Sequence, residues 1–250
     1  MTFRHIRQPA LALAVLLALV PSPGAHADDN PGYDRPGLGF TPAVLRAGDL
    51  AWEQGLPDWS RAGGDSQYTA DTLLRLGLGG PLELQLGTSY QRLATAGADR
   101  DGRGDSSLGM KFALPASGAF SWGLLGSVEF SDGSRAFRSP RRQYLLGADL
   151  DWQWSARNTA ALYLENVREG GRDSRLLAIN EGYAFTGRLS GYVEAAVQHD
   201  ADAGAGSMAG AGLAWQVTPR VQLDGSFRHR LGGHADPWEA GLGVSVYFGH

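Results

Sequence analysis

The stretch "PLELQLGTSY" at residues 81–90 sets Leu82, Leu84, Leu86, Thr88 and Tyr90 on one parity and Glu83, Gln85, Gly87 and Ser89 on the other. Successive side chains of a β-strand point to opposite faces, so this is a ribbon with one apolar and one polar side. The fold turns on what the leucines face, a protein core or lipid.

The alternation recurs outward from this stretch. Segments near 48–57, 67–78, 81–92, 106–115, 119–130, 142–154, 158–167, 174–185, 188–199, 206–216, 220–231 and 237–248 read as strands. Phe120, Trp122, Leu124, Val128 and Phe130 share a side, as do Tyr144, Leu146, Ala148, Leu150, Trp152 and Trp154. Val221, Leu223, Gly225, Phe227 and Leu231 form a third such set, and Trp238, Ala240, Leu242, Val244, Val246 and Phe248 a fourth. "SRLLAINEGYAF" and the glycine- and alanine-rich "GSMAGAGLAWQ" alternate less cleanly, which sets the strand number at about twelve, within two. The links "GG", "PASG", "SAR", "FTG" and "VTP" are tight and follow every second strand, whereas "DWSRAGGDS", "ATAGADRDGRGD", "SDGSRAFRSPRR" and "GGHAD" read as longer polar loops. Short turns at one end and long loops at the other are the build of outer-membrane barrels, and an even strand number returns both termini to the short-turn end.

Aromatic spacing agrees. Trp238 and Phe248 lie ten residues apart on one face, which at about 3.3 Å per residue is roughly 33 Å of strand. Tilted by about 40°, that strand rises some 25 Å, the height of the apolar band of a transmembrane barrel. Tyr90, Phe130, Tyr144 and Trp238 are expected in one girdle, and Trp122, Trp154, Phe185, Trp215 and Phe248 in the other. The leucines are therefore expected to face acyl chains. A soluble lipocalin-like barrel would carry a lysine- and glutamate-rich exterior, and the chain holds a single lysine, Lys111. The expected fold is all-β, a transmembrane antiparallel up-and-down β-barrel.

Composition closes off other classes. The 250 residues include 36 glycines and no cysteine, so disulfide frameworks, thiolate metal sites and cysteine nucleophiles are excluded. A net charge of -4 argues against a nucleic-acid partner. At the N-terminus a basic "MTFRHIRQ", an apolar "ALALAVLLALV" and "AHA" at residues 25–27 read as a cleaved export signal, residues 1–27, too short to span a bilayer. Residues 28–46, "DDNPGYDRPGLGFTPAVLR", show no alternation and read as a periplasmic tail or a plug ahead of a barrel over 47–250, with Asp34 and Arg35 anchoring them to charges of the lumen.

"YDRPG", "RAGDLAWEQGL", "TLLRLGLGGPLELQLG", "GRGDSSLGMKFAL" and a final "VSVYF" occur in that order from about Gly32 onward. This set resembles the family of outer-membrane transporters associated with the meta-cleavage pathway of phenol degradation. The resemblance implies a barrel in the outer membrane of a Gram-negative bacterium and uptake of aromatic or other apolar compounds. Outer-membrane lipid, lipopolysaccharide and the barrel-assembly machinery are the partners expected of such a chain. It departs from the usual pattern at its end: the chain finishes "YFGH", which places the terminal aromatic, Phe248, two residues early.

Parity points Arg75, Glu83, Lys111, Glu129, Asp149, Asp151, Glu194, Asp224, Arg228 and Glu239 into the lumen. Intramembrane charges of this kind serve either as a salt-bridge network that stiffens the barrel or as a solute path. The function expected is a channel for small solutes, with no catalytic residue, cofactor or metal. Two alternatives stand beside it: a closed structural or adhesion barrel acting through its loops, and a lipid-modifying barrel enzyme. For the enzyme, Ser226 and His229 are the nearest pair, but their parity sets them on opposite faces. "DRDGRGD" at 99–105 has the alternating carboxylates of a calcium loop without the downstream glutamate, and reads as a solvated hairpin tip.

Overall fold

The computed structural model describes residues 30–62, 65–95 and 99–249, with the side chains of Pro57 and Ala62 left aside. The expected export signal at 1–27 lies outside the described residues. Thirteen strands follow one another: β1 (Leu50–Ala62), β2 (Asp65–Gly79), β3 (Leu82–Ala94), β4 (Asp99–Arg103), β5 (Ser106–Ala113), β6 (Phe120–Phe130), β7 (Gln143–Trp152), β8 (Asn158–Glu169), β9 (Arg172–Ala184), β10 (Leu189–Asp200), β11 (Gly204–Thr218), β12 (Val221–Gly233) and β13 (Trp238–Phe248). All pairings are antiparallel, between chain neighbours except β3 with β5 and β1 with β13, and the bonding of β1 both to β2 and to β13 closes the sheet. The inner end of β3 (Leu82–Gly87) pairs with β5, and its outer end (Tyr90–Ala94) with β4. β4 and β5 are thus one wall strand interrupted at Gly104 and Asp105, and the barrel has twelve staves. Closure pairs the staves around the barrel, the condition for crossing a bilayer with strands, and leaves only β4, at the far rim, bonded on one side, to β3.

The face question is settled on β3. Leu82, Leu86 and Tyr90 are 37%, 45% and 48% exposed, while Glu83 and Gln85 are 0% and 6%. The same inversion holds around the barrel, where leucines, valines and aromatic rings make up a continuous exposed band. In water an apolar surface of this extent would drive association, whereas in a bilayer it is the matched surface. The girdle at the short-turn rim is formed by Trp122, Trp154, Phe185, Trp215 and Phe248, all exposed, with Phe120 and Trp152 stacked between them. At the far rim Tyr90 and Tyr144 are exposed, while Phe130 and Trp238 are half-buried and the Arg142 guanidinium lies 5.6 Å over the Phe130 ring.

Two expected loops differ, and a third far-rim connection is tight. "DWSRAGGDS" is mostly strand, because β1 runs to Ala62 and β2 starts at Asp65. "DRDGRGD" is not a free tip: Asp99–Arg103 form β4, Asp101 accepts a hydrogen bond from the Tyr90 hydroxyl at 2.7 Å, and Asp99 pairs with Arg92. β8 and β9 are joined by Gly170 and Gly171 alone, at φ +57° and +89°, which only glycine adopts without strain. Among the described residues the long loop at the far rim is therefore 131–142. The buried Asp105 carboxylate fixes it, accepting the amides of Asp132 (2.9 Å), Gly133 (2.6 Å) and Ser139 (2.7 Å).

Candidate functional site

Residues 30–49 precede β1 and run through the barrel interior, and this inner segment organises the site. An irregular chain has amides and carbonyls without ladder partners, and at membrane depth such groups are tolerated only where protein or trapped water satisfies them. Here the inward-facing charges of the wall supply the partners. Carboxylates take the amides: Glu53 accepts from Asp34 (3.0 Å) and Arg35 (2.9 Å), Glu194 from Leu38 (3.2 Å), Asp149 from Phe40 (3.1 Å) and Glu83 from Leu45 (3.0 Å). Cations take the carbonyls: Arg75 donates to Gly32 (2.9 Å), Lys111 to Thr41 (3.3 Å) and Arg228 to Pro36 (3.0 Å). The Tyr192 hydroxyl also donates to the Pro36 carbonyl, at 3.0 Å.

Side chains of the segment complete the docking. Asp34 accepts from Lys111 at 3.0 Å and Gln85 at 2.9 Å and lies 3.6 Å from Arg75. Burial works against the Asp34 charge, but Arg75 and Lys111 outweigh it and hold the carboxyl below its ordinary value. Arg35 lies 3.3 Å from Asp58 and 3.4 Å from Asp224. Phe40 packs edge-to-face on Tyr163, with ring centroids 5.8 Å apart. Gly77 lets the segment's end press against β2, since a Cβ there would come within 1.8 Å of the Arg46 carbonyl.

Beneath Asp34 the wall forms a dry ionic layer. Arg75 bonds Glu83 at 2.8 Å and Glu53 at 2.9 Å, and Lys111 lies 3.2 Å from Glu83, all four residues being 0–1% exposed. Two cations there balance the carboxylates of Glu53 and Glu83, with Asp34 adding a third negative charge, the kind of pairing buried charges require.

Most of the ten residues expected in the lumen are engaged with the segment or with one another. Arg75, Glu83, Lys111, Asp149, Glu194 and Asp224 are buried, and each except Asp224 binds the segment's backbone or Asp34; Asp224 meets Arg35. Arg228 bonds Glu194 at 2.6 Å and lies 3.6 Å from Glu239. Glu129, Asp151 and Glu239 are half-buried, Glu129 accepting from Ser139 of the far-rim loop at 3.4 Å. Glu53 is the central residue that parity reading missed. It shares a face with Ala51 and Gly55, but Gln54 stands among the outward residues Leu50 and Trp52 and blurs the alternation.

Between the segment and the far rim is a cavity of 480 Å³, whose floor is Asp34–Leu38 and whose walls include Asp58, Asp71, Ser226, Arg228 and Glu239. Ser226 lines this cavity while His229 is exposed on the outer face, so the two make no dyad. Among the described residues no group of three or more histidines or carboxylates is placed to hold a metal ion.

Over residues 33–248 the sequence matches the model of a family described as "Putative MetA-pathway of phenol degradation". No curated protein matches it. Among solved structures, KdgM porin in complex with disordered oligogalacturonate is similar at a TM-score of 0.58 and 11% identity, covering 80% of this chain and 99% of the other. A further structure of KdgM porin gives a TM-score of 0.56 at 11% identity, with the same coverage of 80% and 99%. At such identity the likeness is one of fold.

Proposed function

The chain belongs to the MetA-pathway family of phenol degradation, and we propose that it is a gated outer-membrane channel for small solutes, aromatic or apolar ones by the family's association. Residues 30–49 are the gate. The short-turn rim, where the segment enters, faces the periplasm by the general build of such barrels. Residues 1–27 are then the export signal, and assembly proceeds through the barrel-assembly machinery into a membrane bearing lipopolysaccharide.

One observation carries this reading: a cavity of 480 Å³ lined by charged side chains ends on a segment held by hydrogen bonds, ion pairs and the packing of Tyr33, Phe40 and Leu45. A covalent or ladder-bonded floor would be permanent, whereas this one can undock without breaking the barrel. The dry layer of Arg75, Glu83 and Lys111 favours a second reading, a permanently closed structural barrel. Deletion of residues 28–36 separates the two. A gated channel gains single-channel conductance and passes neutral sugars and aromatic acids in liposome-swelling assays. Unchanged conductance and no flux of any solute would leave the closed barrel.

A further inference from the structure

The wall is interrupted at one place beside the cavity. Between β1 and β13 the register passes from Gly55↔Gly243 to Asp58↔Gly241, so two residues of β1 oppose one of β13. Between β1 and β2 it passes from Gln54↔Thr72 to Asp58↔Thr69, three residues against two. Both mismatches are one residue, and removing Pro57 would cancel them together. Proline brings no amide to either ladder, so β1 is loosely held on both edges here.

Side chains replace the missing ladder bonds. Gln54 donates to the carbonyls of Asp71 (2.9 Å) and Gly55 (2.7 Å). Arg35, from the inner segment, donates to the Leu242 carbonyl of β13 at 3.1 Å. Gly243 leaves room for this, since a Cβ there would lie 2.3 Å from the Arg35 Nε. The seam between β1 and β13 is thus latched by the same segment that floors the cavity.

Both sides of the wall are hollow at this seam. The inner cavity and an apolar recess of 1080 Å³ on the outer face share Trp59, Ser226, Ala240 and Gly241. Beyond those four the recess includes Val193, Leu213, Phe227 and Leu242, all exposed on the lipid side. Straight down the barrel axis a solute meets Asp34 and the dry ionic layer; sideways it meets Trp59, the small residues Ser226, Ala240 and Gly241, and a ladder with bonds missing. Segments with few backbone bonds open at the lowest local free energy.

We propose that the break at Pro57 is a side exit, through which a small uncharged apolar solute passes from the inner cavity between β1 and β13 to the outer recess and the lipid beside it. This rests on the channel reading and names its route and substrate class. A charged solute would have to shed its hydration in the recess, which selects against it.

The test uses naphthalene uptake by Gram-negative cells carrying the intact chain, the Pro57 deletion, or Ala240→Trp, beside cells with no barrel. The deletion restores both ladders, and the tryptophan fills the recess from the lipid-facing side. The intact chain is expected to raise uptake, and both variants, assembled as judged by heat-modifiable gel mobility, to lose that gain entirely. If the deletion does not assemble, Ala240→Trp decides alone. Assembled variants with full uptake would overturn the side exit and leave the channel standing. No gain from the intact chain would remove the channel reading, and the exit with it.

Discussion

Replacing Lys111 by methionine keeps the length of the side chain and removes its charge from the dry layer. The ammonium lies 3.0 Å from Asp34, 3.2 Å from Glu83 and 3.3 Å from the Thr41 carbonyl, and 5.7 Å over the Phe40 ring. Without it Arg75 alone faces Asp34, Glu53 and Glu83. Removing one partner of a buried charge pair costs about 3–5 kcal/mol. The loss falls on the docking of residues 30–49, because Glu83 keeps Arg75 at 2.8 Å and the β3–β5 ladder is untouched. At about 1.4 kcal/mol per tenfold, the ratio of docked to undocked segment should fall by roughly two to three and a half powers of ten. Planar-bilayer recording should then show frequent large openings where the parent shows few, and protease should cut within residues 30–49 while the barrel keeps its heat-modifiable mobility. Asp34→Asn combined with Lys111→Met should cost less than the two single changes added, since the partners touch. Parental conductance and protection in Lys111→Met would refute the docking role of the ionic layer.

Acid should open the barrel only at low pH. The Asp34 carboxyl is held below its ordinary 3.8, so its stabilisation is complete above that value and is lost as pH falls through the lowered one; openings that begin between pH 5 and 6 would contradict this. Gly77→Ala forces the Arg46 carbonyl, 1.8 Å from the new Cβ, to move, and should raise protease access to residues 30–49 with the barrel still assembled. Leu146→Arg places a charge at a position 63% exposed to lipid, and should lower the stability measured by urea unfolding in vesicles by about 2–4 kcal/mol. Asp105→Ala leaves the amides of Gly133 and Ser139 without their acceptor, so protease should cleave within 131–142, while cuts elsewhere stay unchanged.

The barrel was legible because its strands solve a two-sided problem, lipid outside and polar inside, and period-two alternation is the direct imprint of that. β3, β7 and β13 show it cleanly. The far-rim ends were harder. There β1, β2 and β4 carry Asp58, Asp65 and Asp99 beyond the apolar band, and polar residues in a strand look like loop when no lipid imposes alternation. The inward direction of Glu83, Asp149 and Glu194 followed from parity, but not what they hold. Their partners are backbone amides of a segment with no periodicity of its own, and an amide leaves no mark in sequence. Asp34 and Arg35 were visible only because a charged pair stood out in a proline- and glycine-rich stretch. The break at Pro57 is detectable in sequence as a proline inside a strand, yet its meaning depends on β2 and on β13, the second far away in the chain.

The most direct measurement labels Leu86 and Gln85, neighbours on β3, each with a nitroxide, and compares collision with dissolved oxygen against collision with a water-soluble nickel chelate in vesicles. The Leu86 label should meet oxygen in the acyl chains. The Gln85 label should meet neither in the intact chain, and should meet nickel once residues 28–36 are deleted. Nickel reaching Leu86, or reaching Gln85 with the segment in place, would contradict both the outward face of the leucines and the occupied interior.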